Sequence, residues 1–170
     1  MKLSGISVAG YGILAMGLLL SSISVSASEN EKRDREIMNH CTMIMRFGIS
    51  FSELMTGGME KNKAWHEAAD RIAVRYKIAD VSRLKTITGV YATFIGLIDK
   101  FNSNTTGYFV LAHCLATHAQ NKMLPLDSKE GIKSVNNALQ HCQATAKDED
   151  SLGGCVLTAL RPLAIPGPTR

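Results

Sequence analysis

Apolar residues recur along the chain in steps of three and four rather than two. Leu84, Ile87, Tyr91, Phe94, Ile98 and Phe101 keep this spacing, which puts them on one face of a helix predicted over 81–101. Gly89, Ala92, Thr93 and Gly96 form a second stripe of small residues. Small side chains let a neighbouring backbone approach closely, so this helix is expected to sit centrally. Its apolar run, Ile87 to Ile98, is too short to span a bilayer and reads as a core helix.

The same period marks further helices. Ile132, Val135, Leu139 and Cys142 line one over 128–146, with Asp127 as the expected N-cap and Glu130 as its reciprocal partner. Leu152, Cys155, Ala159 and Leu163 line a final helix, capped by Ser151 and stopped near Pro162. Tyr108, Leu111, Leu115 and His118 mark a helix that ends before Pro125. Ile37, Cys41, Ile44 and Gly48 mark an early one, with Gly48 suited to its C-terminus. Ser50 and Glu53 then open a short helix closed by Gly57 and Gly58, and a charged helix follows over 63–78. No stretch alternates with period two between hairpin turns, so strands are not expected. The pattern predicts an all-α fold, a single bundle domain of five to seven helices over 28–163. The Pro-containing segment 164–170 is expected to be an extended, mobile tail.

The N-terminus changes this picture. Lys2 is the only charge before Glu29, and an apolar stretch densest at Ile13–Leu20 leads to Val25-Ser26-Ala27. A charged start, a short apolar centre and small residues before a cut form the layout of a secretory signal peptide, expected over 1–27. The apolar part falls short of the ~20 residues of a membrane span, so no transmembrane segment is expected in the mature chain. The 170 residues, 45% hydrophobic and 20% charged, are ordinary for one globular domain and exclude collagen-like and wholly disordered chains. Cleavage leaves 143 residues of charge +3 and keeps all four cysteines. Export to a bacterial periplasm or the extracellular space explains their even number, because disulfides persist in oxidising compartments. Asn104-Thr105-Thr106 matches a glycosylation sequon, which matters only in a eukaryotic secretory pathway.

Four cysteines allow three pairings. Cys142 lies five residues before Lys147-Asp148-Glu149-Asp150 and Cys155 five after it. In an antiparallel helix hairpin, positions equidistant from the turn face each other, so Cys142 is assigned to Cys155. A Cys114–Cys142 pair is off-register about Pro125 by roughly 9 Å along a helix axis, too far for a disulfide. Elimination leaves Cys41–Cys114. The segment His40-Cys41 through Arg46-Phe47-Gly48-Ile49-Ser50, with Val90-Tyr91 and Tyr108 to Cys114, resembles small uncharacterised secreted or periplasmic bacterial α-helical proteins with paired cysteines. That resemblance covers about half the chain. It implies the same Cys41–Cys114 staple and nothing about activity.

Candidate chemistry is sparse. His40-Cys41, His113-Cys114 and His141-Cys142 each place an imidazole beside a cysteine, and Cys114 and His118 share a helix face. Imidazole and thioether ligands suit copper or zinc, so Met38, His40, Met43 and Met45 form one candidate metal set. Adjacent helical residues point about 100° apart, however, and oxidised cysteines are not thiolate ligands. His66-Glu67-Ala68-Ala69-Asp70 is close to the H-E-x-x-H helix of zinc hydrolases, but Asp70 stands where the second histidine belongs. No nucleophile elbow, phosphate-binding glycine loop, C-x-x-C or C-x-x-C-H occurs. Between Lys61 and Lys85, seven basic residues meet three acidic ones. Lys63, Arg71, Arg75 and Lys77 are the candidates there for an anionic partner. The reading is a non-enzymatic exported binding protein without a cofactor. Its expected partner is a protein or an anionic envelope component, and not nucleic acid. A periplasmic copper or zinc protein ranks second, and a small metallohydrolase centred on His66 and Glu67 third.

Overall fold

A computed structural model describes residues 12–167, with side chains from Glu29 onward. Residues 1–11 of the expected signal peptide, and 168–170 of the expected tail, lie outside the described residues. Contacts divide the chain into two units, Met1–Glu36 and Ile37–Arg170. In the first, Arg35 and Glu31 form an exposed pair one turn apart, at 3.8 Å. The second unit holds the helical bundle and both disulfides.

The described residues form six helices: α1 (Gly12–Thr56), α2 (Lys61–Tyr76), α3 (Val81–Ile95), α4 (Ser103–Gln120), α5 (Lys129–Thr145) and α6 (Glu149–Leu160). No helix among them is long and apolar enough to cross a membrane. Helix α1 passes straight through Gly48, merging two helices that the sequence pattern separates. Gly48 is needed for packing rather than termination: a Cβ there would lie 2.9 Å from Val110 Cγ2 of α4. The helix ends where expected, at Gly57-Gly58. Gly58 takes φ +85°, and the Gly57 and Met59 amides close on Glu53 O and Leu54 O at 2.9 and 3.0 Å.

Helix α3 begins on Asp80, which accepts a bond from the Arg83 amide at 2.9 Å. It stops at Ile95, with Gly96 as C-cap, and not at Phe101. Ile98 is buried and Phe101 half-buried, but both lie in the connection to α4. They anchor that loop while keeping the helical spacing. Nor is α3 central. That place belongs to α4, where ten of eighteen residues are buried, against four of fifteen in α3.

Helices α5 and α6 form a hairpin against α4. The cap of α5 is Ser128, accepting from the Gly131 amide at 3.1 Å, rather than Asp127. Gly131 lies so close to Pro125 that any side chain would overlap its carbonyl, which fixes where the helix starts. The cap of α6 is Asp148, and Ser151 is the third helical residue of a capping box. The Ser151 amide donates to Asp148 Oδ1 at 2.7 Å and holds that carboxyl below its ordinary pKa. Both disulfides pair as argued from the sequence, Cys41–Cys114 with Cα atoms 5.5 Å apart and Cys142–Cys155 at 5.6 Å.

A short strand pair departs from the all-helical expectation. β1 (Lys122–Met123) pairs antiparallel with β2 (Ile165–Pro166), beyond a 3-10 turn at Arg161–Leu163. The Gly167 amide adds a bond to Asn121 O at 2.9 Å. The segment expected to be a mobile tail is therefore extended but tied down as far as Gly167. Its ladder needs only two residues a side, too few to leave a periodic signal.

Candidate functional site

A concavity opens at the amino end of α4. Phe51, Ser52, Met55 and Thr56 come from the last turns of α1, and Ile95, Gly96 and Ile98 to Phe101 from the end of α3 and the loop after it; Thr106 of α4 also lines it. Its volume is about 580 Å³, inside the usual range for small-molecule sites. The wall is mainly apolar, and Met55, 39% exposed, reaches solvent. Its polar groups are few. Ser52 Oγ donates to Thr106 Oγ1 at 3.5 Å, and Thr56 Oγ1 donates to Ser52 O at 2.8 Å.

Lys61, Asp99 and Lys100 also line this groove. Among the described residues, neither lysine joins an ion pair. Lys61 Nζ lies over Gly96, where an added Cβ would be 2.8 Å away. It thus meets the negative, C-terminal end of α3, a favourable place for a cation. Two lysines against one aspartate leave the mouth positive.

The rest of the basic segment is dispersed. Arg71 Nε binds Glu67 Oε1 at 2.9 Å, and Lys85 Nζ binds Asp70 Oδ1 at 2.8 Å. Lys77 ends α2 in the left-handed region at φ 53°. Lys63 and Arg75 are exposed on α2. Of the candidate set Lys63, Arg71, Arg75 and Lys77, Arg71 is paired with an acid, and none of the four lines this groove, which Lys61 does.

The histidines separate into different surroundings. His141 is exposed on α5. His113 is buried on α4, 3% exposed, and stacks on Phe94 at 4.4 Å between ring centroids. Burial pushes its pKa down to about 4. Thr117 Oγ1 has one proton, which it gives to His113 O at 2.9 Å. It also lies 3.4 Å from His113 Nδ1. Nε2 is buried with no protein partner. The ring borders a cavity of about 270 Å³ shared with Leu124, Leu126 and Asp127.

His40 meets His118, with ring centroids 5.2 Å apart and planes at 81°. Burial, and then the charges of His118 and Arg83, hold the His40 pKa below its ordinary value. The methionines proposed beside His40 take other places. Met45 is buried and packs toward Gly107, Met43 is half-buried against the core, and Met38 is exposed. His66 is exposed and lies on Trp65 at 4.4 Å, while Glu67 and Asp70 are engaged by Arg71 and Lys85. Among the described residues, no third metal-ligating side chain joins them.

No protein-family model, curated protein or solved structure matches the chain. The groove residues escaped sequence reasoning because four separate segments supply them. The one available signal was the cation excess that starts at Lys61. His118 left a clearer trace, its i, i+4 spacing from Cys114.

Proposed function

We propose that this chain is an exported, non-enzymatic binding protein that takes a single-chain anionic amphiphile. The tail would lie among Phe51, Met55, Ile95, Ile98 and Phe101, with the head group facing Lys61 and Lys100. The observation that carries the reading is the combination, in one groove of about 580 Å³, of an apolar wall with two lysines that lack ion-pair partners. Burying the apolar tail supplies affinity at roughly 25 cal/mol per Å² removed from water, and the lysines select the sign of the head group. Two disulfides and a signal-like N-terminus are compatible with export.

Calorimetric titration with dodecanoate and with dodecyltrimethylammonium, both below their micellar concentrations, tests the proposal. Dodecanoate is expected to bind one to one and about tenfold more tightly than the cation. The double variant Lys61→Glu/Lys100→Glu should abolish or reverse that preference while leaving the fold intact. Equal binding of the two amphiphiles, or no saturable binding of dodecanoate, overturns it.

A further inference from the structure

The Cys41–Cys114 disulfide does more than join two helices. It fixes the Cα atoms of 41 and 114 at 5.5 Å, and this decides which neighbouring side chains meet. His40 is the residue before Cys41 on α1. His118 lies one turn after Cys114 on α4. Although 78 positions separate them in sequence, their rings are 5.2 Å apart. One ring nitrogen of each histidine and Cys114 Sγ fall within 4.8 Å of one another. The sulfur is in the disulfide and supplies no thiolate, so the ligands on offer are the two imidazoles. His40 is half-buried and His118 exposed, which leaves the outer side of the pair open to solvent.

We propose that His40 and His118 form a divalent transition-metal site, for Cu(II) or Zn(II), with water completing the coordination. Imidazole nitrogen suits both ions, and Cu(II) binds such ligands more strongly. Bonds of about 2 Å from each nitrogen to one ion need the two nitrogens to close by an ångström or two, within reach of side-chain rotation. The two helices need not move, because the adjacent disulfide holds them. The site differs from the methionine-rich set around Cys41, since its second ligand comes from α4. It is also separate from the amphiphile groove at the other end of that helix.

The test is titration of the oxidised, folded protein with CuCl2 and with ZnCl2. One ion per chain is expected, and the electron paramagnetic resonance spectrum of the Cu(II) form should show two nitrogen ligands. His40→Ala and His118→Ala should each weaken binding about tenfold or more, whereas His141→Ala should not. In the unmodified protein, substoichiometric Cu(II) should broaden the ring resonances of His40 and His118 before that of His141. That measurement holds even if a variant is unstable. Binding that survives both alanine variants, one ion shared between two chains, or broadening at His141 first would overturn the proposal.

Discussion

Helices α3 and α4 are similar in length and lie side by side in chain order, yet they meet water differently. On α3, Leu84, Thr88, Tyr91 and Ala92 are buried while Val90 is 50% exposed. On α4, burial goes round the helix and encloses Thr105, Thr106 and His113 along with Phe109 and Val110. Polar side chains on α3 are largely solvated or bonded close by, as when Trp65 Nε1 donates to Thr88 Oγ1 at 3.1 Å. On α4 two polar atoms, Thr105 Oγ1 and His113 Nε2, are buried without a partner. The helix that forms the hub carries the costs, and both candidate sites lie beside it.

Changes on α4 should therefore be the more damaging. The largest effect is expected from opening its disulfide. Cys41→Ser/Cys114→Ser releases a loop spanning 73 positions, and should lower stability by about 4.5 kcal/mol on a chain-entropy basis. Opening Cys142–Cys155, which spans 13, should cost about 3 kcal/mol. Equal losses in urea unfolding would mean that strain or denatured-state structure, rather than loop length, sets the contribution. Phe109→Ala falls between the two, at about 4 kcal/mol, because Phe109 is fully buried.

Acid should act through His113. Its folded pKa is about 4, whereas the unfolded chain binds that proton near pH 6.5. The unfolded state thus takes up protons first as pH falls. Stability should be full above about pH 6.5 and decline by about 3 kcal/mol as pH drops to about 4. His40, also depressed, adds a smaller loss in the same direction. His113→Phe should remove most of this slope without loss at pH 7, since it deletes an unpaired buried nitrogen from a ring already stacked on Phe94. Unfolding curves at pH 7 and pH 4.5 decide it, and an unchanged slope in the variant would locate the acid sensitivity elsewhere.

The same contrast explains what could be read from the chain. A one-sided stripe such as Leu84, Ile87, Tyr91 belongs to a helix with a wet face. The small residues Gly89, Ala92, Thr93 and Gly96 made α3 look central, whereas α4, read from Tyr108, Leu111, Leu115 and His118, is buried on further faces that this one stripe does not mark. Spacing about the turn was enough to pair Cys142 with Cys155, because a helix hairpin fixes geometry locally. Gly48 looked like a terminator, since a glycine that ends a helix and one that admits Val110 are the same letter. The meeting of His40 with His118, and of Lys61 with the groove, depends on tertiary approach. Local periodicity does not encode it.

The smallest effect is expected from one chemical change made on both helices. Val→Thr keeps the branched shape and replaces a methyl with a hydroxyl. At Val110, fully buried against Gly48, the hydroxyl should cost about 1–2 kcal/mol, moderated where it bonds back to the preceding turn. At Val90 it should point into water and change stability by less than about 0.5 kcal/mol. Thermal and urea unfolding of Val90→Thr and Val110→Thr would check both. A cost at Val90 approaching that at Val110 would mean that the outer face of α3 is covered in solution. The difference between the two helices would then belong to the isolated chain and not to the protein in its working state.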